Sequence, residues 1–395
     1  MTYLVNQFYN TNILLTPPFK YGISAWYLLV VIIFSSNADA IGNEQVIDNQ
    51  NSFLIYTKIK GTKFSGVRIA NIEVDGSSYE GKFFSFEGVE LENVTFKNFK
   101  NGRNYAGFEF YDSRLKNVYF LQSKIDVKFK GVKDSTVKFE GLISSKVDIS
   151  SGVNNTLNFS KSSFIALSLS LADIASNDGD TVTVTDSVVT KSFYFSIVDN
   201  PIVTLGKREF RDVLKKANIS NSEFNGYIQF YAHDYLVNQL FKENAVKAKK
   251  ATIRTWGNID LSDLDLGNLD LKLYLFNMAE VKNMLNFGRV RLKGLYLYSN
   301  SYSPIFTGAL IKTASLAGDF SNGQFSKMKI DVLSTSGDFS NSNFSDSTIF
   351  EFRMDRHSNI SNANFKDVKV KNIDIGDAKG SLSIKNITSI RVIEN

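Results

Sequence analysis

Asp260, Asp265 and Asp270 stand five residues apart in GNIDLSDLDLGNLDL (257–271) and offer the oxygen ligands that calcium takes in sets of six to eight. Whether they converge on one ion depends on the path of the backbone between them. Only His233 and His357 supply imidazole, too few for a histidine metal site or a serine–histidine system without a recognisable partner spacing. His233 opens an expected helix and His357 lies in the turn-like RMDRHSN, so each reads as a surface or capping residue. Tyr296, Tyr298 and Tyr302 in LYLYSNSY have faces that can stack on sugar rings, although aromatics in β-rich walls are more often plain packing. Arg353 and Arg356, near Asp355 and Glu351, suit a lyase-like cleft if their side chains share one wall. The chain has no cysteine, which excludes thiol nucleophiles, cysteine zinc sites, haem attachment and lipidation at cysteine. Phosphate loops of the GxxxxGK[ST] or GxGxxG kind are also missing from the sequence. No catalytic residue, cofactor or metal is assigned.

The elements that must position these groups follow an unusual period. An amphipathic helix places apolar residues at spacings of three and four, and a half-buried strand at two. Here the spacing is five: Phe64, Ile69, Val74, Tyr79 and Phe84, then after a slip Phe86, Leu91 and Phe96, later Phe110, Leu115, Phe120 and Ile125, and Val132, Val137, Leu142 and Val147. Phe159, Phe164, Leu169 and Ile174 continue the count less cleanly, and near the C-terminus Phe339, Phe344 and Ile349, then Ile360, Phe365, Val370 and Ile375, keep it. Such self-similarity belongs to a short unit stacked on itself, because one unit cannot bury its apolar side chain alone. A longer period lies above it. Phe320, Phe339 and Ile360, beside Phe325, Phe344 and Phe365, recur every 19 to 21 residues, so four units make one coil. Leu264, Leu269 and these six residues are the expected core ladder, stacking at the sheet spacing of roughly 4.8 Å. Residues five apart then lie on successive sides of a coil. Asp260, Asp265 and Asp270 therefore point in different directions and are read as turn-forming, solubilising residues.

At ANFKD (363–367), ANISN (217–221), SDLDL (262–266) and GNLDL (267–271) the sequence resembles the pentapeptide-repeat family, whose pattern is Ala-(Asp/Asn)-Leu-X-X. The resemblance implies an all-β solenoid, a right-handed parallel β-helix of pentapeptide-repeat type with quadrilateral coils, here carrying a few helical insertions. Phe and Val replace Leu at many centres, and Gly or Ser often replaces Ala. The coils are therefore expected to be less regular than the family pattern, with a triangular coil as the alternative over 127–198. Some members of the family mimic duplex DNA and bind DNA gyrase, a role that needs a strongly acidic surface. With 45 Lys and Arg against 40 Asp and Glu, net +5, no nucleic-acid-related partner is expected.

Residues 1–40 differ in kind from the rest. YGISAWYLLVVIIF (21–34) is a 14-residue apolar run after Lys20, followed by SSNADA with small residues at Ala38 and Ala40. It is short for a membrane span of about 20 residues and reads as a secretory signal peptide. An uncleaved membrane anchor is the alternative. The expected organisation is a signal peptide at 1–40, a lead-in or cap at 41–60 and N-terminal coils at 61–198. A helical interruption with a short repeat pair follows at 199–255, then C-terminal coils at 256–395 with a helical insertion near 277–288.

Three stretches have helical spacing: GKREFRDVLKKA (206–217), HDYLVNQLFKENAVKAKK (233–250) and NMAEVKNMLNFG (277–288). Asp234 is a candidate cap for the second. Residues 206–255 hold ten Lys and Arg against five Asp and Glu, an excess of five that equals the net charge of the whole chain. Lys207, Arg208, Arg211, Lys215, Lys216, Lys247, Lys249, Lys250 and Arg254 therefore form a candidate surface for an anionic partner. The alternative is the solvated face of ordinary amphipathic helices. The expected function is an exported, periplasmic or secreted, non-enzymatic binding scaffold for a protein or for an anionic glycan or lipid surface. The alternatives are a secreted glycan-active β-helix enzyme and a secreted factor acting on a host cell.

Overall fold

A coil closes on itself only if the backbone turns sharply every few residues, and asparagine, aspartate and glycine tolerate the left-handed conformation that makes such turns. In the computed structural model, Gly88, Asn93 and Asn98 turn successive corners at φ of 60°, 54° and 59°, and Asp112, Asn117 and Gln122 do so at 47°, 54° and 46°. The five-residue period is thus a corner period. The structure describes residues 45–100, 107–150, 152, 154–171, 180–197, 217–276, 284–301, 303–374 and 391–392. The chain divides into two units, Met1–Gln45 and Val46–Asn395. The second is an all-β parallel solenoid of about 13 turns with two α-helices among the described residues, α1 at Gln50–Lys60 and α2 at Asp234–Lys242.

Phe64, Ile69, Val74, Tyr79 and Phe84 are all buried. So are residues that a count of five passes over. After the Asn93 corner the chain runs as a strand, where side chains alternate, and Val94 and Phe96 both face inward. In the C-terminal coils Phe320, Phe325 and Ile330 keep the five-step, then Leu333 and Thr335 follow at strand spacing.

Two parallel sheets form the N-terminal coils. The first runs through Val67–Asp75, Glu90–Lys97, Arg114–Leu121, Thr136–Glu140, Thr156–Ser160 and Thr181–Thr185 to Ala217–Ser220. The second begins at Lys63–Ser65 and continues through every later coil to Arg391–Val392. Where the first sheet ends, α2 takes the place of the next strand. Past it, a ladder of pairings starts at Ile259–Asp260 and Leu285–Asn286 and goes on as single bridges through Ile305, Gln324, Asn343 and Asn364.

Aromatic stacks hold the coils together from within. Phe287, Phe306, Phe325, Phe344 and Phe365 form one continuous column with ring centroids 4.7–5.1 Å apart, and Phe96, Phe120, Phe139 and Phe159 form another at 4.6–5.2 Å. Both spacings match the separation of paired strands, so each ring rests on its neighbour in an offset or parallel stack. Polar corners are satisfied in the same repeating way. Asn93 donates to Asn71 at 2.9 Å and Asn117 to Asn93 at 3.1 Å. The buried Ser135 hydroxyl accepts from Leu115 N at 2.8 Å and donates to Lys133 O, which spares the corner an unpaired backbone group.

Helix α1 is capped by Asn49, whose side chain accepts from Ser52 N, and closes at Gly61 with φ of 77°. Its one fully buried side chain, Phe53, stacks on Phe64 at 5.1 Å. In α2 the cap is His233, with Asp234 as the first helical residue.

Three expectations change. The helix expected over 233–250 stops at Lys242, because Ala245–Val246 and Lys250–Thr255 are strands that pair with Glu223–Phe224 and Tyr227–Tyr231. Beyond Phe241 the buried residues Ala251, Ile253 and Thr255 alternate at period two, which a helix cannot present to one side. Leu264 is only partly buried, following the corner at Asp263 with φ of 63°, while Leu261, Leu266 and Leu269 enter the core. In the third expected helix, Leu285–Asn286 is a strand; residues 277–283, like most of 206–217 and all of 1–44, lie outside the described residues. The rest of the expected ladder, Leu269, Phe320, Phe325, Phe339, Phe344, Ile360 and Phe365, is buried.

Candidate functional site

Alternation along the second sheet sends every second side chain to its outer face, and parallel register stacks those side chains in columns from coil to coil. One column runs Gln229, Thr252, Lys272, Tyr296, Ser315, Ser334, Arg353. Beside it runs Tyr231, Arg254, Tyr274, Tyr298, Ala317, Ser336. Their sequence neighbours Ile253, Leu273, Leu297, Leu316 and Thr335 are buried. Side-chain size thus varies along the axis: a tall stretch of tyrosines and cations, a low stretch of serine and alanine, and then a second tall stretch from Arg353 onward.

In the first tall stretch the Arg254 guanidinium lies between two rings, 4.8 Å from the Tyr231 centroid and 5.6 Å from that of Tyr274. Tyr274 in turn packs against Tyr296 at 5.8 Å. Arg254, Lys249, Lys250 and Lys272 are exposed and form no ion pair with a described residue. Lys247 differs: it pairs with Glu223 at 3.0 Å. Lys207, Arg208, Arg211, Lys215 and Lys216 lie outside the described residues, as does Tyr302.

The low stretch is the floor of a cleft of about 620 Å³ lined by Ser315, Ser334, Thr335, Ser336, Arg353, Met354, Asp355, Arg356 and His357. That volume lies within the roughly 300–1,000 Å³ of small-molecule sites. Arg353 and Arg356 do share one wall with Asp355. Glu351 holds Arg353 through a 2.7 Å bond to Nε, which raises the guanidinium's proton affinity further. Arg356 Nε donates to His357 Nε2 at 3.1 Å and forms no ion pair among the described residues. Burial works to raise the Asp355 pKa, but hydrogen bonds from Ser336, the His357 N–H at 2.9 Å and Ser358 outweigh it and hold the carboxyl below the usual range. Beneath the floor the buried Ser358 hydroxyl donates to Thr335 O at 2.7 Å and meets Thr335 Oγ1 at 3.2 Å, which fixes the wall to the floor.

The three aspartates of 257–271 go to three different cations: Asp260 to Lys242 at 2.5 Å, Asp265 to Arg291 at 3.5 Å and Asp270 to Lys293 at 2.8 Å. No group of three metal-binding side chains comes together among the described residues, nor is any described helix long and apolar enough to cross a membrane.

Sequence reasoning named Arg254, Tyr296, Tyr298, Arg353 and Arg356 separately but missed Tyr231, Tyr274 and the serine floor. The signal for the floor was present. ASLAGDF (314–320) and LSTSGDF (333–339) align at the 19-residue period, and their alternate positions are the small outward residues of neighbouring coils.

Fold and wall together define the class, a parallel β-solenoid with a tyrosine- and cation-bearing outer sheet face. No protein-family model matches the chain, and no curated protein or solved structure is significantly similar to it.

Proposed function

We propose that this chain is an exported solenoid of pentapeptide-repeat type that acts as a rigid, non-enzymatic scaffold and binds an anionic envelope or external ligand on the outer face of its second sheet. The observation that carries this reading is Arg254, held between Tyr231 and Tyr274 with no carboxylate partner among the described residues. A guanidinium fixed by its faces keeps its edge donors turned to solvent, in the planar fork that matches carboxylate, sulfate or phosphate oxygens. Lys272 stands opposite Thr252, which lies two positions from Arg254 on the same strand, and adds a second exposed cation to this face. A wall built of paired strands gives up little conformational entropy when a ligand docks, so that modest charge contacts become useful affinity.

The test uses the full chain, titrated with an acidic polysaccharide and, separately, with vesicles of anionic phospholipid. Arg254→Ala and Lys272→Ala are each expected to weaken binding of one of these by about ten-fold, near 1.4 kcal/mol. Equal binding by wild type and both variants removes the reading. Export is tested independently by fractionating a bacterial host and sequencing the N-terminus: a start at Ile41 in the periplasm or medium supports it, and an intact Met1 in the membrane fraction supports the anchored alternative.

A second reading, a glycan-active enzyme, is favoured by the cleft that gathers Arg353, Asp355, Arg356 and His357. A cation and a candidate base on one wall are the parts such chemistry needs. Incubation with acidic polysaccharides and measurement of new reducing ends separates the two: product formation supports the enzyme, and saturable binding without product supports the scaffold.

A further inference from the structure

We infer that the cleft floored by Ser315, Ser334 and Ser336 and walled by Arg353–His357, with Tyr296 and Tyr298 one coil beyond its floor in register, is a saccharide subsite that takes a short, uncharged stretch of a glycan, distinct in chemistry from the cationic stretch beside it. The inference rests on the reading of this sheet face as a binding surface and goes further by naming what the low stretch is shaped for.

Charge argues first. Arg254 and Lys272 lie in the tall stretch without ion pairs among the described residues, whereas the cleft carries both signs. Arg353 is bound by Glu351 at 2.7 Å and stands in register with Asp374, and Asp355 and Arg356 line the same wall. An anion placed there meets the Asp355 carboxylate as well as the Arg356 guanidinium. A hydroxyl-rich ring loses nothing, because a carboxylate accepts from sugar hydroxyls while a guanidinium donates to them.

Shape argues next. From Tyr296 to Arg353 is three strand spacings, about 14 Å, and the two coils between them present only Ser315, Ala317, Ser334 and Ser336 on these columns. That gap is long enough for a disaccharide laid along the axis. Tyr296 and Tyr298 are 38% and 50% exposed, and the next coil sets Ser315 and Ala317 in register with them, not another aromatic. One coil past Ser315 they offer rings on which a sugar reaching beyond the floor can stack, the Ser315 and Ser334 hydroxyls offer donors and acceptors below, and Asp355 with Arg356 closes the other end. Asp355 is fixed by the His357 N–H at 2.9 Å and by Ser358 at 3.2 Å, so its remaining lone pairs are already oriented for a ligand.

The experiment is calorimetric or saturation-transfer titration of the full chain with neutral tetrasaccharides, namely cello-, xylo-, manno-, malto- and N-acetylchito-tetraose. At least one is expected to bind saturably, with affinity unchanged when salt rises from about 0.05 M to about 0.5 M, since no net charge is screened. Tyr298→Ala removes the stacking face and Ser334→Trp fills the floor from the solvent side. Each is expected to weaken that binding by about ten-fold or more with unchanged thermal melting, and Arg254→Ala is expected to leave it alone. Should Ser334→Trp fail to fold, Ser315→Phe blocks the neighbouring coil of the same floor. The inference is overturned if no tetrasaccharide saturates, or if binding persists when the floor is filled. It is also overturned if the affinity collapses with salt. Loss of acidic-polymer binding in Arg254→Ala alongside no tetrasaccharide binding would leave the scaffold reading standing and remove only this one.

Discussion

Gln239 Oε1 accepts the backbone N–H of Ile219 at 2.9 Å, so a side chain of α2 completes the hydrogen bonding of the last strand in the first sheet. Asn244 finishes the job on the same residue by donating to Ile219 O at 2.7 Å. A sheet that stops midway along a solenoid leaves a row of unpaired backbone groups, and covering it with a helix is one of the ways proteins block such an edge.

Gln239→Ala leaves the buried Ile219 N–H without its acceptor and is predicted to cost about 1–3 kcal/mol. Amide exchange at Ile219 is expected to accelerate more than at Phe344. Wild-type exchange at Ile219 in the variant would show that α2 does not seal this edge.

Phe344 is the fourth ring of the five-membered column and is fully buried. Phe344→Ala is predicted to destabilise by about 3–5 kcal/mol, through lost burial and the cavity left behind. Leu264→Ala should cost clearly less, since Leu264 is only partly buried. Leu269→Asp should exceed a typical single-residue loss by placing an unpaired charge in the stack. Equal melting of the Phe344 and Leu264 variants would contradict the assignment of core and rim.

Gly337 and Gly318 face each other across neighbouring coils. A Cβ built on Gly337, whose φ is 120°, would lie 2.0 Å from the Gly318 carbonyl oxygen. Gly337→Ala must therefore push the coils apart as well as strain the backbone. Gly61, with φ of 77° and no atom within 4 Å, carries only the strain. Denaturant midpoints should fall much further for Gly337→Ala than for Gly61→Ala.

Asp355 has a folded pKa below its unfolded one, so its contribution to stability is present above the unfolded value of about 4 and is lost as pH falls through the lower folded value. The group is largely exposed, and the effect is correspondingly small. In a melting series from pH 6 to about pH 2, Asp355→Asn is predicted to flatten the acid limb slightly relative to wild type. A steeper limb in the variant would reverse the assigned direction.

Arg254→Lys is predicted to restore little of the anion binding lost in Arg254→Ala. An ammonium keeps the charge but cannot lie flat between Tyr231 and Tyr274 or present a fork. Full recovery with lysine would show that charge alone acts there.

The repeat was legible because each corner needs a residue that tolerates positive φ, and such residues recur visibly beside the apolar centres, as at Asn341 and Asp346 after Phe339 and Phe344. Ile72, Val94 and Leu333 were passed over because strand alternation is inserted between corners, and two periods in one coil blur each other. The end of α2 was misplaced for a related reason: Ala248, Ala251 and Ile253 are apolar enough to extend a helical pattern until their pairing with Tyr227–Tyr231 is known. The outer wall was the least legible part. Which side chains stand together depends on coil length, and that length runs from 19 residues between Met328 and Ser347 to 35 between Ser187 and Ser222. Arg254 and Tyr231 are 23 apart in sequence, and nothing short of the register shows that they touch.

Helix α1 gives this stack of coils a beginning. Phe53 lies over Phe64 and also meets Tyr79, Phe84 and Phe96, so the apolar interior is shut at that end by a side chain that belongs to no coil. An uncovered terminal coil is a template on which the next copy of the chain can crystallise, one rung at a time, into a fibre. With α1 in place, a second molecule must first unseat Phe53 and wet the column beneath it. Removal of this lid is predicted to turn a protein of fixed length into a seed for its own polymer, and a variant lacking α1 that stays monomeric and non-fibrillar by light scattering would contradict that role.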